Sequence, residues 1–369
     1  MKKYDRVYLV DWLPPDFGAT GQYALKFAII DGEAGLNVML VGLTSSDSTV
    51  EYDDSGNLEI RRIKSFLPRK ESNLSRLVWA IISNFSLVLL NLTVIARSRE
   101  VIITGSPPFL LFFVVPFKKL FGFELRYRLT DFYPEVIFAG SNNTGLIARF
   151  SIYVTNVFRR AADVIEVLGE DQSKRLQAYG FNTSELVLRR DDSPVEFNEQ
   201  ADVTSNKVLN HERPVILYSG NWGVAHDTDT FVDGCYKASL NNADFDIRIQ
   251  SASPIAHKVH TMLGEKGVKS LILGNLPLSE LARSLASADL HLITLKSEFW
   301  GYVMPSKVYA CIESGRPILY IGPKDSDVYL LCSNSRILGQ DFFHFNCGDS
   351  QGVARFLALR YGSKKGLQT

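Results

Sequence analysis

Residues 304–322 bring together the side chains and the helix signals of an anion-binding site. Pro305 suits the first position of a helix, because its missing N–H and its fixed φ cost nothing there. Ser306 and Lys307 then fall in the first turn, where free backbone N–H groups and the helix dipole attract an anion. A hydroxyl and an ammonium at this place suit a phosphate or a diphosphate. The plain alternative is a capped surface helix that carries a lysine, since Pro-Ser-Lys is a common tripeptide.

A glycine-containing turn opens the first predicted helix of the chain, with Gly18, Thr20 and Gly21 after the first predicted strand. Glycines at a helix start let the backbone approach a ligand closely. The spacing is not Gly-x-Gly-x-x-Gly, so it carries no dinucleotide fingerprint. Glycines before a helix also serve a turn alone, and both interpretations stay open.

A second glycine turn, Gly220 to Gly223, precedes a helix predicted to begin near Asp227. Backbone N–H groups there, including that of Asn221, could hold a phosphate, and His226 could add a donor. A structural histidine beside a helix start is equally compatible with the pattern.

The segment after residue 273 could contact a base. Asn275 and Leu276 form an extended loop whose backbone can pair with a flat base edge, and Ser279 is predicted to cap the next helix. A plain capped loop fits the spacing equally well.

Two carboxylates, Asp131 and Glu135, close a predicted strand of the first half, where general-base or electrostatic work could occur. All six histidines lie in the second half of the chain, so Asp131 is the better candidate for a base in the first half. Alternatively, Glu135 caps a helix and Asp131 holds a loop.

Short apolar strands that alternate with helical stretches must position these groups. Such alternation predicts parallel, doubly wound sheets, and a chain of 369 residues favours two domains. We therefore predict two Rossmann-like α/β domains facing a cleft, at 1–189 and 213–349, with a linker at 190–212. A C-terminal helix within 350–369 could pack back on the first domain. Ligands of such sheets bind beyond the carboxyl ends of the strands, where each motif lies.

The predicted strands are short and mostly apolar. They lie at 6–10, 37–42, 58–63, 100–105, 124–130, 163–168, 185–188, 214–219, 245–251, 269–273, 289–295, 317–322 and 343–346.

Composition narrows the location and the partners. Forty basic residues balance forty acidic ones, so no global charge favours nucleic acid. The four cysteines show no Cys-x-x-Cys pairing and no metal-ligand pattern, which predicts reduced core thiols and no bound metal or cofactor. The N-terminus runs into a strand without a signal-peptide region. The expected location is the cytosol or the inner face of the membrane.

The stretch Leu77–Ala96 is almost continuously apolar between Arg76 and Arg97. A buried helix, an interfacial helix and a membrane span are all compatible with its length, although its polar interruptions disfavour a span. A second run, Phe109–Phe123, could lie at a membrane surface or in a core.

Taken in order, these segments resemble the bacterial glycosyltransferases of family 4, in the branch of fucosamine-type transferases of O-antigen and colanic acid assembly. The resemblance rests on Pro14-Pro15 with Thr20-Gly21, Ser106-Pro107-Pro108, Asp131-x-x-Pro134-Glu135, Tyr218-Ser219-Gly220-Asn221-x-Gly223-x-Ala225-His226-Asp227, and Pro305-Ser306-Lys307 with Ser314-Gly315-Arg316-Pro317.

The resemblance implies the GT-B fold and a metal-independent transfer of a sugar from a nucleotide donor, UDP-linked, to a polyprenyl-diphosphate-linked saccharide acceptor. It implies a donor in the second domain, an acceptor in the first, and peripheral attachment to the membrane. The implied donor residues are Gly18, Thr20, Gly21, Gly220, Asn221, Gly223, His226, Ser306 and Lys307. Asn275, Leu276 and Glu280 would contact the base, and Asp131, Glu135 and Lys307 would be catalytic.

The chain departs from the wider family at the usual pair of glutamates, which would fall on Tyr302 and Ala310. The usual arginine of the second glycine turn would fall on Asn221, so Lys307 becomes the principal cation at the diphosphate. Two other functions stay open: a nucleotide-sugar-binding subunit without catalysis, and a GT-B epimerase that acts on the nucleotide sugar alone.

Overall fold

A computed structural model describes residues 3–16, 18–53, 56–67, 73–140, 145–197 and 213–362. The chain forms two compact units. The N-terminal unit comprises Met1–Arg190 with Gly301–Met304, and the C-terminal unit comprises Asp191–Trp300 with Pro305–Thr369. Residues 198–212 of the predicted linker and 363–369 of the predicted last helix lie outside the described residues.

Strands and helices alternate along both units, and two short 3-10 turns lie at Thr183–Glu185 and Ser297–Phe299. The strands are β1 (Tyr4–Trp12), β2 (Val38–Thr44), β3 (Thr49–Tyr52), β4 (Leu58–Lys64), β5 (Ser98–Thr104), β6 (Glu124–Leu129), β7 (Val164–Val167), β8 (Leu186–Leu188), β9 (Val215–Ser219), β10 (Asp246–Gln250), β11 (Ser270–Ile272), β12 (Leu290–Thr294), β13 (Ile318–Ile321) and β14 (Phe342–Phe345). The helices are α1 (Ala19–Glu33), α2 (Asn73–Leu89), α3 (Leu92–Ala96), α4 (Leu110–Phe121), α5 (Glu135–Ala139), α6 (Leu146–Arg159), α7 (Glu170–Ala178), α8 (Asp229–Leu240), α9 (Pro254–Glu265), α10 (Leu278–Ala286), α11 (Lys307–Glu313), α12 (Asp327–Ser333) and α13 (Ser350–Tyr361).

The N-terminal sheet has the strand order β3-β4-β2-β1-β5-β6-β7-β8, and only β3 pairs antiparallel among its described strands. Alternate residues of β1 serve two cores, because successive side chains of a strand point to opposite faces. Val7 and Leu9 pack with α2 and α4, whereas Tyr8 and Val10 pack with α1. Helix α1 therefore lies on one face of this sheet, and α2 and α4 lie on the other.

The C-terminal sheet has the order β11-β10-β9-β12-β13-β14, with every described pairing parallel. Its core includes Val353, Ala354 and Leu357 of α13, which packs against α8. This differs from the expectation that the last helix packs back on the first domain. The apolar face of α13 is instead satisfied by the core of its own unit.

The prediction of two Rossmann-like parallel-sheet domains is confirmed, and each predicted strand is present with its ends shifted by up to about two residues. The short edge strand β3 was not predicted, because its four residues are all exposed and carry no apolar run. The stretch Leu77–Ala96 divides between α2 and α3 at Asn91. No helix in the described ranges combines the length and the hydrophobicity needed to cross a membrane.

Candidate active site

Four loops of the C-terminal unit meet at the carboxyl ends of its parallel strands. The backbone N–H of Trp222, after β9, donates to Ser251 Oγ after β10, at 3.3 Å. The backbone N–H of Ala252 donates to Asn275 Oδ1, in the loop after β11, at 3.1 Å. The first bond ties the Gly220–Gly223 turn to the loop after β10, and the second ties that loop to the one after β11.

Lys307 and Gly220, which are far apart in the sequence, come together at this edge. Gly220 has a φ of +120°, in the left-handed region that favours glycine. A Cβ at this position would lie 3.5 Å from Lys307 Cε and 3.8 Å from Nζ. The Lys307 ammonium also lies 3.2 Å from the centroid of the Tyr218 ring, a close cation–π contact.

The Lys307 ammonium is buried and finds no hydrogen-bond partner among the described residues. Burial holds the pKa of Lys307 well below its usual range, since a desolvated ammonium is penalised in its charged form. A buried amine beside a backbone turn, with no hydrogen-bond partner among the described residues, suits an anionic ligand. An anionic group bound here would supply the missing hydrogen bonds and the missing charge.

His226 supports the turn from within. Its Nδ1 lies 2.6 Å from the Thr294 carbonyl oxygen at the end of β12, and its ring meets the Tyr218 ring edge-on at 5.8 Å. Burial and the nearby Lys307 lower the pKa of His226 to about 3, so the imidazole is neutral near pH 7. With one proton, held toward a carbonyl through Nδ1, the ring acts in the ligand-free protein as a structural support.

The helix that carries Lys307 begins later than its sequence predicts. Lys307 is the first residue of α11, and Pro305 and Ser306 form the turn that precedes it. Ser306 caps no backbone N–H with its side chain. The helix ends as predicted, at Gly315 in the left-handed conformation with a φ of +65°. The attraction of this place for an anion therefore depends on the Lys307 ammonium more than on a long helix.

The residues predicted to contact a base lie along one loop. Asn275 and Leu276 fall between β11 and α10, and Glu280 is exposed in the first turn of α10. The Asn275 side chain already serves the backbone of Ala252, so its remaining polar atom is the amide nitrogen. Pro277, and not Ser279, precedes the helix, whose first turn has no side-chain cap.

In the N-terminal unit, two carboxylates mark the ends of neighbouring strands. Asp11 is the penultimate residue of β1, and Asp131 follows β6. Strand β5 lies between these two strands in the sheet. Ser106, after β5, donates from Oγ to Asp11 Oδ2 at 2.6 Å. The other oxygen of Asp11, Oδ1, is buried without a partner in the part of the chain that the structure describes.

The environment of these two carboxyls makes them weaker acids than usual. Burial raises the pKa of Asp11 to about 6, although the Ser106 hydrogen bond favours the ionised form. Burial, together with the charge of Asp11, raises the pKa of Asp131 to about 6 as well. Carboxylates with a pKa near neutrality suit a general base, because they are ionised at pH 7 and still accept a proton readily.

Sequence reasoning had singled out Asp131 and missed Asp11. The signal for Asp11 was its position at the end of the first strand, which lies in the middle of a doubly wound sheet. That position indicates a functional residue only when β1 is known to pair with β5, because the loop after β5 supplies Ser106.

The prediction that Glu135 is catalytic needs a correction. Its two oxygens accept from Arg159, at 2.6 Å from Nη1 and 3.0 Å from Nη2, and both side chains are fully buried. The Arg159 guanidinium also lies 5.1 Å from the centre of the Phe132 ring. A bidentate buried pair of this kind leaves the carboxylate to hold α5 against α6, so we assign Glu135 a structural role.

The first glycine turn belongs to the N-terminal unit, as do both carboxylates. Gly18 caps α1, and a Cβ on it would lie 3.8 Å from Asp11 Oδ1. Gly21 packs against β1 so closely that a Cβ would lie 1.9 Å from the Trp12 carbonyl oxygen. Thr20, between them, is half-buried. The structure thus brings this turn together with Asp11, within its own unit.

The two positions of the family glutamates have different surroundings. Tyr302 belongs to the N-terminal unit, where its ring lies 4.4 Å from the Arg175 guanidinium and 5.7 Å from the Phe132 ring. Ala310 is buried in α11 of the C-terminal unit. Across the described ranges, no cluster of three or more His, Cys, Asp or Glu side chains is arranged to hold a metal ion.

Comparison with known proteins identifies relatives of this chain. No known family profile matches it. It is 25% identical over 362 residues to the probable glycosyltransferase WbjE of Pseudomonas aeruginosa, covering 95% of this chain and 87% of that protein.

Three solved structures share its fold. Sucrose-phosphate synthase of Thermosynechococcus elongatus superposes with a TM-score of 0.71 at 12% identity, over 96% of this chain and 90% of that one. WaaG, a glycosyltransferase involved in lipopolysaccharide biosynthesis, superposes with a TM-score of 0.65 at 13% identity, over 95% of this chain and 89% of that one. Anabaena HepE in complex with UDP superposes with a TM-score of 0.60 at 12% identity, over 96% of this chain and 89% of that one. These comparisons confirm the predicted GT-B fold and support the predicted glycosyltransferase activity.

Proposed function

We propose that this protein is a glycosyltransferase that moves a sugar from a UDP-sugar donor to a lipid-linked saccharide in the assembly of a surface polysaccharide. The observation that carries this proposal is the buried Lys307 amine, which lies beside the Gly220 turn and has no hydrogen-bond partner among the described residues. A diphosphate carries the charge and the acceptor oxygens that this place lacks. The complex of HepE with UDP and the involvement of WaaG in lipopolysaccharide biosynthesis favour this donor and this role.

In the proposed reaction, the bond between the anomeric carbon and the donor diphosphate breaks, and a bond to the acceptor oxygen forms. Negative charge grows on the departing UDP, and Lys307 with the backbone N–H groups of the Gly220–Gly223 turn would stabilise it. The anomeric carbon would pass through an oxocarbenium-like state, as in glycoside chemistry generally. We propose that this charge stabilisation proceeds without a metal ion.

The acceptor hydroxyl must lose its proton as the new bond forms. Asp131 is proposed to accept that proton, because burial, with a further contribution from the charge of Asp11, raises its pKa to about 6. The proposed acceptor is a polyprenyl-diphosphate-linked saccharide, so the enzyme would work at the cytoplasmic face of the membrane. The family-4 and fucosamine-type specificity is part of the same proposal, and rests on the ordered motifs.

The donor site is tested by calorimetric titration of UDP into Lys307→Met. Loss of a charged hydrogen bond typically costs about 1.5 to 3 kcal/mol, so the Kd should rise by at least about tenfold. Lys258→Met removes an exposed lysine of α9 in the same unit and should leave the Kd unchanged. Equal UDP affinity in wild type and Lys307→Met would contradict the assignment. UDP binding without sugar transfer to any acceptor would favour the non-catalytic subunit.

A further inference from the structure

Two helices of the N-terminal unit expose apolar faces of a kind that soluble surfaces rarely carry. On α2, six side chains share one face, and each is at least 42% exposed: Leu77, Val78, Ile81, Ile82, Phe85 and Leu89. On α6, five side chains are at least 51% exposed: Leu146, Ile147, Phe150, Tyr153 and Val157. We call these eleven residues the α2/α6 apolar surface. Contiguous apolar surface of this kind marks a binding site.

Helix α2 is apolar on both sides, because its inward face packs into the core with Trp79, Ala80, Leu87 and Val88 while its outward face is apolar as well. Its polar residues Ser83 and Asn84 are 1% exposed and point into the unit. Asn84 Nδ2 donates to the Pro108 carbonyl oxygen at 2.8 Å, and Ser83 Oγ lies 3.4 Å from Ser65 Oγ. Three of the polar interruptions that disfavour a membrane span, Ser83, Asn84 and Asn91, are therefore buried inside the protein. The outward face of α2 between Leu77 and Leu89 is mainly apolar.

Helix α4 lies between the two exposed faces and joins them. Phe113 of α4 packs against Phe85 of α2, with ring centroids 5.0 Å apart. Phe112 of α4 packs against Phe158 of α6, with centroids 4.5 Å apart. The three helices form one layer on the sheet face opposite α1, and the α2/α6 apolar surface is the outer side of that layer.

The charges of this layer all have one sign. Helices α2, α4 and α6 contain no aspartate or glutamate. Arg76, Lys119 and Arg149 lie on these helices and are exposed. Basic residues beside an apolar helix face match the anionic head groups and the acyl boundary of a lipid surface.

The same pattern disfavours a second copy of the chain as the occupant. A two-fold contact through this layer would place two copies of Arg76, Lys119 and Arg149 in one interface. The three helices offer no carboxylate to compensate those charges. An anionic lipid surface can bind both the exposed apolar residues and the basic residues Arg76, Lys119 and Arg149.

The layer also adjoins the carboxylate pair. Asn84 holds the loop that contains Ser106, and Trp79 of α2 stacks on Trp12, next to Asp11, with centroids 5.8 Å apart. Arg76 lies close enough to Tyr133 for its charge to lower the pKa of that phenol, against the larger effect of burial. An acceptor held in a lipid surface would thus meet Asp11 and Asp131 from the α2 side.

We propose that the α2/α6 apolar surface docks the protein on an anionic lipid membrane, with α6 as a second contact beside α2. The proposal rests on the lipid-linked acceptor of the proposed function, and it adds the element, the residues and the charge preference of the membrane contact.

The test is co-sedimentation of the full chain with phosphatidylcholine vesicles, with and without phosphatidylglycerol. Wild type should bind the anionic vesicles, and the double variant Ile82→Asp with Phe150→Asp should bind at least about tenfold more weakly. Ile30→Asp changes an equally exposed isoleucine on α1, on the other sheet face, and should bind like wild type. Lys119→Gln and Arg149→Gln should each weaken binding to anionic vesicles by about fivefold.

Failure of this proposal is distinguishable from failure of the proposed function, because vesicle binding requires no sugar substrate. Wild type that does not sediment with anionic vesicles, or a double variant that sediments like wild type, overturns the docking proposal whatever the affinity for UDP. A dimer in solution that Ile82→Asp converts to a monomer, without vesicle binding, overturns it in favour of self-association. Loss of vesicle binding in the double variant, with a thermal unfolding transition and a circular-dichroism spectrum like those of wild type, shows that the variant is folded and supports the proposal.

Discussion

Under the proposed function, a single buried lysine, Lys307, meets a strongly charged ligand. In the ligand-free protein its ammonium is buried against Tyr218, and burial holds its pKa well below the usual range. A diphosphate beside Lys307 would favour the charged form and raise that pKa. Binding and protonation should therefore be linked.

We expect UDP binding to be accompanied by proton uptake when it is measured at a pH above the last ionisation of UDP itself. Lys307 is less protonated in the free protein than an ordinary lysine, so the complex gains the proton. Calorimetry in buffers with different ionisation enthalpies measures the number of protons exchanged. Lys307→Met should abolish the uptake, whereas Lys258→Met should retain it. An exchange that is the same for wild type and Lys307→Met would show that this lysine does not meet the diphosphate.

Asp11 should be a residue that the protein keeps at the expense of stability. A carboxyl whose pKa is about 6 in the folded protein and 3.8 in the unfolded protein lowers the free energy of unfolding by up to about 3 kcal/mol at pH 8. Asp11→Asn should raise the free energy of unfolding toward that limit at pH 8, and lower sugar transfer. The gain should fade as the pH falls through 6 toward 3.8, because the folded wild type binds its proton first.

Asp16 is the matched control for this experiment. Its carboxylate accepts from Thr44 Oγ1 at 2.8 Å and from the Ser45 N–H at 2.9 Å, and these bonds hold its pKa below the usual value despite partial burial. Asp16→Asn should therefore lower the free energy of unfolding at pH 8. Urea titrations across the pH range measure both variants, and a destabilised Asp11→Asn at pH 8 would contradict the burial argument.

Helix α1 shows why a glycine motif need not be a ligand motif. Gly21 permits contact between α1 and β1, since a Cβ would lie 1.9 Å from the Trp12 carbonyl oxygen. The sequence could reveal that a helix begins there, but the close approach depends on how that helix packs on its strand. Helix α2 shows that an apolar helix face need not be buried, because Ser83 and Asn84 are buried while six apolar residues of the same helix are exposed.

Gly21→Ala should be strongly destabilising although alanine favours helices. The added methyl would collide with backbone, which requires α1 to move away from β1. Gly264→Ala makes the same substitution within α9, where the Cβ would meet nothing within 4 Å, and should stabilise by up to about 1 kcal/mol. Thermal unfolding of the two variants gives the comparison. A Gly21→Ala melting temperature at or above that of wild type would contradict the packing argument.

For the whole chain, the features that could be predicted were those that produce a regular pattern of apolar residues in the sequence. Apolar strands separated by helices predicted both parallel sheets, and even the strand at Ile318–Ile321 was placed correctly. Features that depend on which strands become neighbours were not predictable. The pairing of Asp11 with Ser106 and the commitment of Glu135 to Arg159 are of this kind, since a carboxylate looks the same in the sequence whether it is free or paired.

The Lys307 ammonium, buried without a hydrogen-bond partner in the described residues, has a consequence for the lifetime of the protein in a cell. A fold that buries an amine without a hydrogen-bond partner is weakened by it, and a ligand that binds only the folded state adds stability by mass action. If UDP-sugars supply the missing anion, the folded fraction rises with their concentration, and exposure to proteases falls. The abundance of the enzyme would then follow the nucleotide-sugar pool, so that a starved cell clears a transferase it has no donor to use.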